Sequence, residues 1–215
     1  MMVTFPIFLK EYIFIGMLIA YLLGSIPFGV LVSRRFTHID IRQHGSHNTG
    51  AINVMRVEGY FAGILTLIAD TLKGAFPVAL YLFYISKKVT STSFDPILIS
   101  LLIALCATAG HMFPLYSCLR KGGKGVATTF GGLSIISPVA TGCALCIYLL
   151  VFWLFKKASL SSLIASVSLL FLFPFLKGIY TFPVVFILVI LIFIRHRTNI
   201  LRLFSDTEPN FKRQI

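Results

Sequence analysis

The 215-residue chain is 57% hydrophobic and only 12% charged, with a mean hydropathy of +0.92. A soluble domain carries roughly 25% charged residues, and the apolar residues here fall in runs of about 20, the length that crosses a bilayer. A soluble enzyme is therefore excluded, and one all-α polytopic membrane domain over residues 1–215 is expected. The net charge of +12 would suggest nucleic acid in a soluble protein. In a membrane protein it reports basic loops retained on the cytoplasmic side, and no nucleic-acid partner is expected.

In chain order, residues 7–32 read as a first span, interrupted by Gly24-Ser-Ile-Pro-Phe-Gly29, where proline bends the axis. This run is long enough to cross and lacks a small-residue cleavage site, so no cleavable leader is expected. A polar loop follows over 33–59. Residues 61–85 form a second span carrying Asp70 and Lys73, which share a helix face at i, i+3 and should pair towards the bundle interior. Residues 96–116 are a third span. Two longer apolar runs, 125–155 and 160–194, exceed one upright helix of about 20 residues. Ser137-Pro138 and the stretch from Phe173 to Gly178 divide them. A basic tail closes the chain from residue 195. Cys143 and Cys146 form a C-x-x-C inside an apolar run, a setting for helix packing and not for redox or metal chemistry.

Dividing both long runs gives about seven crossings, one of them short, over 126–137. Fourteen lysines and arginines then fall on one side, within 34–59, 118–124, 156–157 and 195–213. Lys10, Lys87, Lys88 and Lys177 fall on the other. The positive-inside rule puts the N-terminus outside and the C-terminus in the cytoplasm. A five-span arrangement keeps the main loops together but strands Lys156 and Lys157 outside.

Chemistry is expected in three polar stretches. The first runs from Asp40-Ile-Arg42 through Gly45, Ser46, His47, Asn48, Gly50 and Asn53 to Arg56. It offers neutral hydrogen-bonding groups beside two guanidinium forks. The second is Arg120-Lys121-Gly122-Gly123-Lys124-Gly125 and on to Thr128. Its glycines let backbone N–H groups approach an anion, and its lysines supply charge where a helix begins. It is not a Walker A sequence, because Lys124 is followed by glycine. The third is Arg195-His196-Arg197-Thr198-Asn199, in which His196 and Asn199 share a helix face and suit proton handling or hydroxyl binding. Glu208 is expected to pair with a nearby arginine and hold the tail. No metal-ligand spacing, Ser-His-Asp order or His-x-x-x-x-Asp spacing is present, and neither a metal nor another cofactor is expected.

These stretches, with Gly24 to Gly29, Asp70-x-x-Lys73-Gly74, Gly110-His111 and Phe113-Pro114, closely resemble the acylphosphate-dependent glycerol-3-phosphate acyltransferases of bacterial inner membranes. The resemblance runs almost end to end. It implies a seven-helix membrane fold with its site on the cytoplasmic side. It also implies transfer of a fatty acyl group from acyl phosphate to the 1-position of glycerol 3-phosphate, giving lysophosphatidate and phosphate. Ser46, Arg56, His196 and Asn199 are the implied catalytic set. Asn48, Gly50, Asn53 and Lys121 to Gly125 are the implied substrate- and phosphate-binding set, and Asp70, Lys73 and Glu208 the structural one. Acyl phosphate, glycerol 3-phosphate and membrane lipid are the implied partners, with no required protein partner. His47, Ile52 and Thr198 depart from the family, which tends to have a small residue, threonine and glutamate there. The rival reading is a transporter of a phosphorylated solute, which the mostly apolar spans disfavour.

Overall fold

The computed structural model describes residues 7–85, 95–119 and 122–211. Arg120 and Lys121, the expected outer loop with Lys87 and Lys88, and the last basic residues Lys212 and Arg213 lie outside the described residues. Within them the fold is helical throughout, with no strand. The helices are α1 (Ile7–Ser25), α2 (Phe28–Phe36), α3 (Ala51–Glu58), α4 (Tyr60–Leu80), α5 (Pro96–Met112), α6 (Val126–Ile136), α7 (Pro138–Phe155), α8 (Ala158–Lys177), α9 (Phe182–Arg195) and α10 (Arg197–Phe204).

The breaks follow the sequence closely. α1 gives way to α2 at Pro27, and α6 to α7 at Ser137-Pro138. The division of the last long run falls at Gly178 and not at Pro174, which α8 accommodates in its final turn. Gly178 has φ of +104°, a backbone region that only glycine occupies freely. The polar loop contains an unforeseen short helix, α3, and the tail begins with the short helix α10, in the stretch where a helix face was expected. Among the described residues, five stretches are long and apolar enough to cross a membrane, Ile13–Phe36, Tyr60–Phe83, Pro96–Ser117, Pro138–Phe155 and Ala158–Lys177. Ile179–Arg195 and Arg197–Phe204 make a sixth segment bent by 64°, and Val126–Ile136 is a shorter apolar helix.

Small residues bring the helices together. A side chain at Gly24 would overlap the carbonyl of Ala107, and one at Gly110 would overlap that of Tyr21, so α1 and α5 meet backbone to backbone. Gly74 against Thr128 and Gly131 against Thr71 do the same for α4 and α6. Such contacts suit a bilayer, where apolar side chains gain little by leaving lipid and close packing drives association. The main core gathers around Leu101, Ala104, Leu133, Phe173, Val185 and Leu188. A smaller cluster of Val30, Ile41, Val54 and Ala62 seats the first polar loop on α2 and α4.

The expected ion pair forms. Lys73 Nζ lies 2.8 Å from Asp70 Oδ1, with both side chains almost wholly buried. The ammonium also donates to the carbonyl of Ile26 at 2.9 Å, in the α1–α2 break, and sits over the ring of Phe28. His111 Nδ1 approaches the same carboxylate at 3.5 Å. The pair thus adds a second donor to a carbonyl of the α1–α2 break, which also accepts from Phe28 N at 3.0 Å. Removing one member strands a buried charge, so Lys73→Met should cost about 3–5 kcal/mol. The double change Asp70→Asn with Lys73→Met should recover most of it, as measured by unfolding in detergent.

Candidate active site

The three polar stretches converge at one end of the bundle. Arg195 Nε donates to the carbonyl of Gly123 at 3.0 Å, and its second guanidinium nitrogen donates to that of Gly122. Gly123 N donates to the carbonyl of His111 at 3.0 Å. The glycine-lysine loop is therefore clamped between the end of α5 and the end of α9, with its carbonyls turned onto Arg195. The first loop joins through Arg42, whose guanidinium grips Asp40 and reaches Ser117 Oγ at 3.4 Å. The hydrogen bonds from Arg42 hold the Asp40 pKa down at about 2. The tail closes over the same end: Phe211 N donates to the carbonyl of Lys156, and the Phe211 ring packs on Tyr60 and Phe152.

Two adjoining cavities open here. The smaller, about 230 Å³, is lined by cations from the tail, Arg195, Arg197 and Arg202, with Thr198 beside them. The larger, about 460 Å³, begins at Arg56 and His196 and runs between α4, α6, α7 and α8 past Phe130, Ala144 and Ser166 to Leu169. Ser46, Asn48, Lys124 and Asn199 line both and mark the junction. Four helices, α3, α6, α8 and α10, begin at these walls, and none has a side-chain cap at its N-terminus. Their free N–H groups and dipole ends add positive potential to that of the side chains.

Lys124 and Arg56 make no hydrogen bond or ion pair with the described residues, which leaves them for a ligand. Burial first, then Arg202, Arg56 and Arg195, lower the Lys124 pKa to about 8 against the pull of Glu208. His196, 1% exposed, caps the end of α9. Its Nδ1 lies 2.8 Å from the carbonyl of Ile192. A carbonyl only accepts, so Nδ1 carries the proton and Nε2 keeps its lone pair. Burial, helped by Lys124, lowers the pKa of this imidazole to about 4, so it is neutral at pH 7.

The remaining predicted residues take distinct places. Asn53 is buried, and its amide is engaged within the first loop: Oδ1 accepts from Ser46 N at 2.8 Å, and Nδ2 donates to the carbonyls of Asn48 and His44. Asn48 Oδ1 accepts from Gly50 N at 2.7 Å. These two asparagines shape the loop that carries Ser46. His47 sits at φ of +55°, a conformation a glycine would take without strain. Ile52 and Gly50 line the larger cavity and Thr198 the smaller. Glu208 accepts from Ser159 Oγ at 2.6 Å, Asn199 Nδ2 at 2.7 Å and Arg202 Nε at 2.8 Å. Burial alone would raise its pKa, but these donors outweigh it and hold the carboxyl below its ordinary value. Arg195 and Arg197 belong to the third polar stretch and Arg202 follows it, but the sequence alone assigns none of the three a place in the site. Their alternation with His196 and Asn199 on two successive turns was the available sign that they line the site.

The sequence matches the glycerol-3-phosphate acyltransferase family over residues 14–206. The chain belongs to that family. A glycerol-3-phosphate acyltransferase of Pseudoalteromonas translucida is 45% identical over 195 residues, 89% of each chain. One from Actinobacillus pleuropneumoniae is 40% identical over 196 residues, 91% of this chain and 94% of the relative. The crystal structure of PlsY (YgiH), an integral membrane glycerol 3-phosphate acyltransferase, in its glycerol 3-phosphate form, superposes with a TM-score of 0.83. It is 33% identical, with 94% of this chain and 96% of that one covered. The lysophosphatidic acid form of PlsY gives 0.80 at 32% identity.

Arg195→Ala should release the Gly122–Gly123 carbonyls and weaken inorganic phosphate binding by roughly tenfold or more, since hydrogen bonds to charged groups are worth about 1.5–3 kcal/mol. Arg195→Lys, which lacks the fork, should recover only part. Both are read by calorimetric titration in detergent.

Proposed function

We propose that the protein transfers a fatty acyl group from acyl phosphate to the 1-hydroxyl of glycerol 3-phosphate, forming lysophosphatidate and phosphate on the cytoplasmic face of a bacterial inner membrane. The observation that carries this reading is the junction of a small cationic cavity with a larger, mostly apolar one. The reaction needs two anions beside each other and one alkyl chain. Arg195, Arg197 and Arg202 suit the phosphate of the acceptor, and Arg56 with Lys124 the phosphate of the donor. The wall of small residues on α7 and α8 suits the acyl chain, whose burial contributes about 0.8 kcal/mol per methylene. In this reading the seven segments cross with the N-terminus outside, so that the basic loops remain in the cytoplasm.

Acyl phosphate is a mixed anhydride with a good leaving group, so placement and charge stabilisation are the main requirements. The 1-hydroxyl oxygen attacks the acyl carbonyl carbon, and the bond from that carbon to the phosphate oxygen breaks. The developing negative charge falls among Lys124, Arg56 and the free N–H groups that begin α6. Nε2 of His196 accepts a hydrogen bond from the attacking hydroxyl. Burial makes this imidazole a weak base, and the departing phosphate gains a full negative charge as its bond to carbon breaks, so the proton leaves with the phosphate. Ser46, on a loop fixed by Asn53, orients the donor. The apolar core beneath the cavity speaks against an aqueous path for a transported solute.

Purified protein given acyl phosphate and glycerol 3-phosphate should release phosphate and lysophosphatidate, whereas acyl-CoA and acyl carrier protein thioesters should give no product. Turnover with a thioester and none with acyl phosphate across several chain lengths would overturn the reading. kcat/KM reports the free enzyme and should fall as pH rises through about 8, where Lys124 loses its charge. An acid limb should lie near the phosphate pKa and persist in His196→Gln. Loss of the alkaline limb in Lys124→Arg, with activity retained, checks the assignment.

A further inference from the structure

Asn199 is 4% exposed, yet its Oδ1 has no hydrogen-bond partner, while Nδ2 donates to Glu208 at 2.7 Å. A carboxylate accepts and does not donate, so the amide cannot be reversed: its NH2 must face Glu208, and its oxygen is left free. Glu208 cannot turn away either, because Ser159 and Arg202 hold both its oxygens. The result is a fixed, buried acceptor at a junction where Lys124 and the arginines supply cationic donors. Leaving such an oxygen without a partner is unfavourable, and a ligand hydroxyl is what would satisfy it.

The order of the cavities says which hydroxyl. Asn199 lines both, Arg195 and Arg197 line only the smaller, and His196 lines only the larger. A glycerol phosphate with its phosphate among the arginines and its reacting C1 hydroxyl at His196 passes C2 through the junction. Asn48 Oδ1, also at the junction, is already engaged by Gly50 N. We infer that Asn199 Oδ1 accepts a hydrogen bond from the C2 hydroxyl of the acceptor, with Glu208 as the positioning residue that turns the amide. The site thereby selects phosphorylated alcohols bearing a hydroxyl next to the reacting one. This inference rests on the acyl-transfer reading above.

The test compares glycerol 3-phosphate with 3-hydroxypropyl phosphate, which lacks only the C2 hydroxyl, using acyl phosphate as donor. A site built around a substrate hydroxyl rejects the analogue lacking it strongly, so the wild-type kcat/KM ratio should be at least about a hundredfold. Asn199→Leu should bring it to within about fivefold of unity. Glu208→Ala should lower the ratio, and Glu208→Gln, whose carbonyl still accepts from Nδ2, should restore most of it. Calorimetric binding of the two acceptors gives the ground-state part of this ratio, to be compared between variants where turnover is too slow. If Asn199→Leu does not fold, the Glu208 pair decides. Equal use of both acceptors by the wild type, or an unchanged ratio in the variants, overturns the role of Asn199 and leaves acyl transfer standing. Turnover of neither acceptor removes acyl transfer and this inference together.

Discussion

Cations crowded at one end of an apolar bundle repel each other, and the fold must hold them together without neutralising them. Four uncapped helix N-termini and the side chains of Arg56, Lys124, Arg195, Arg197 and Arg202 surround the two cavities. Glu208 is the carboxylate set directly among them, and it engages Arg202 alone of the cations by hydrogen bond. The excess positive potential is tolerated because rigid structure opposes it. Glycine-mediated contacts fix α1 on α5 and α4 on α6, and Arg195 is tied to backbone carbonyls of the glycine-lysine loop. Burial first, and after it repulsion from the neighbouring arginines, lowers the Lys124 pKa. A dianionic ligand relieves this repulsion, so part of its affinity is built into the fold.

Identical residue types do different work here because of what holds them. Asn53 and Asn199 are both buried asparagines in polar stretches. Asn53 uses both ends of its amide on the loop backbone and leaves nothing for a ligand. Asn199 uses one end on Glu208 and keeps the other. His111 and His196 differ in the same way. The first leans on the Asp70 carboxylate beneath Gly123, and the second fixes its proton on Ile192 and faces the cavity with a lone pair.

Much of the helical frame was legible because its signals are local and strong. Apolar runs gave the spans, Pro27 and Pro138 gave two breaks, and the i, i+3 spacing of Asp70 and Lys73 gave their ion pair. The turn at Gly178 was blurred by Pro174, since a proline near a helix end can remain within the last turn. α3 was hidden because its residues, from Ala51 to Glu58, lack the length and apolarity that mark a span. At the site, the convergence of the loops could be read from their chemistry. Which way a side chain is turned could not, because that depends on partners distant in sequence. Arg195 binds carbonyls 72 and 73 positions away, and Ser159 reaches Glu208 across 49.

Glu208 comes after every apolar helix in chain order. Its three donors sit on α8 and α10, so it finds its place only once those segments have been threaded into the bilayer and the last turn of chain has folded back. Until then the amide of Asn199 is free to rotate. Biogenesis therefore has a built-in endpoint: a polypeptide arrested part-way through synthesis can insert most of its helices while its reaction chamber is still unfinished.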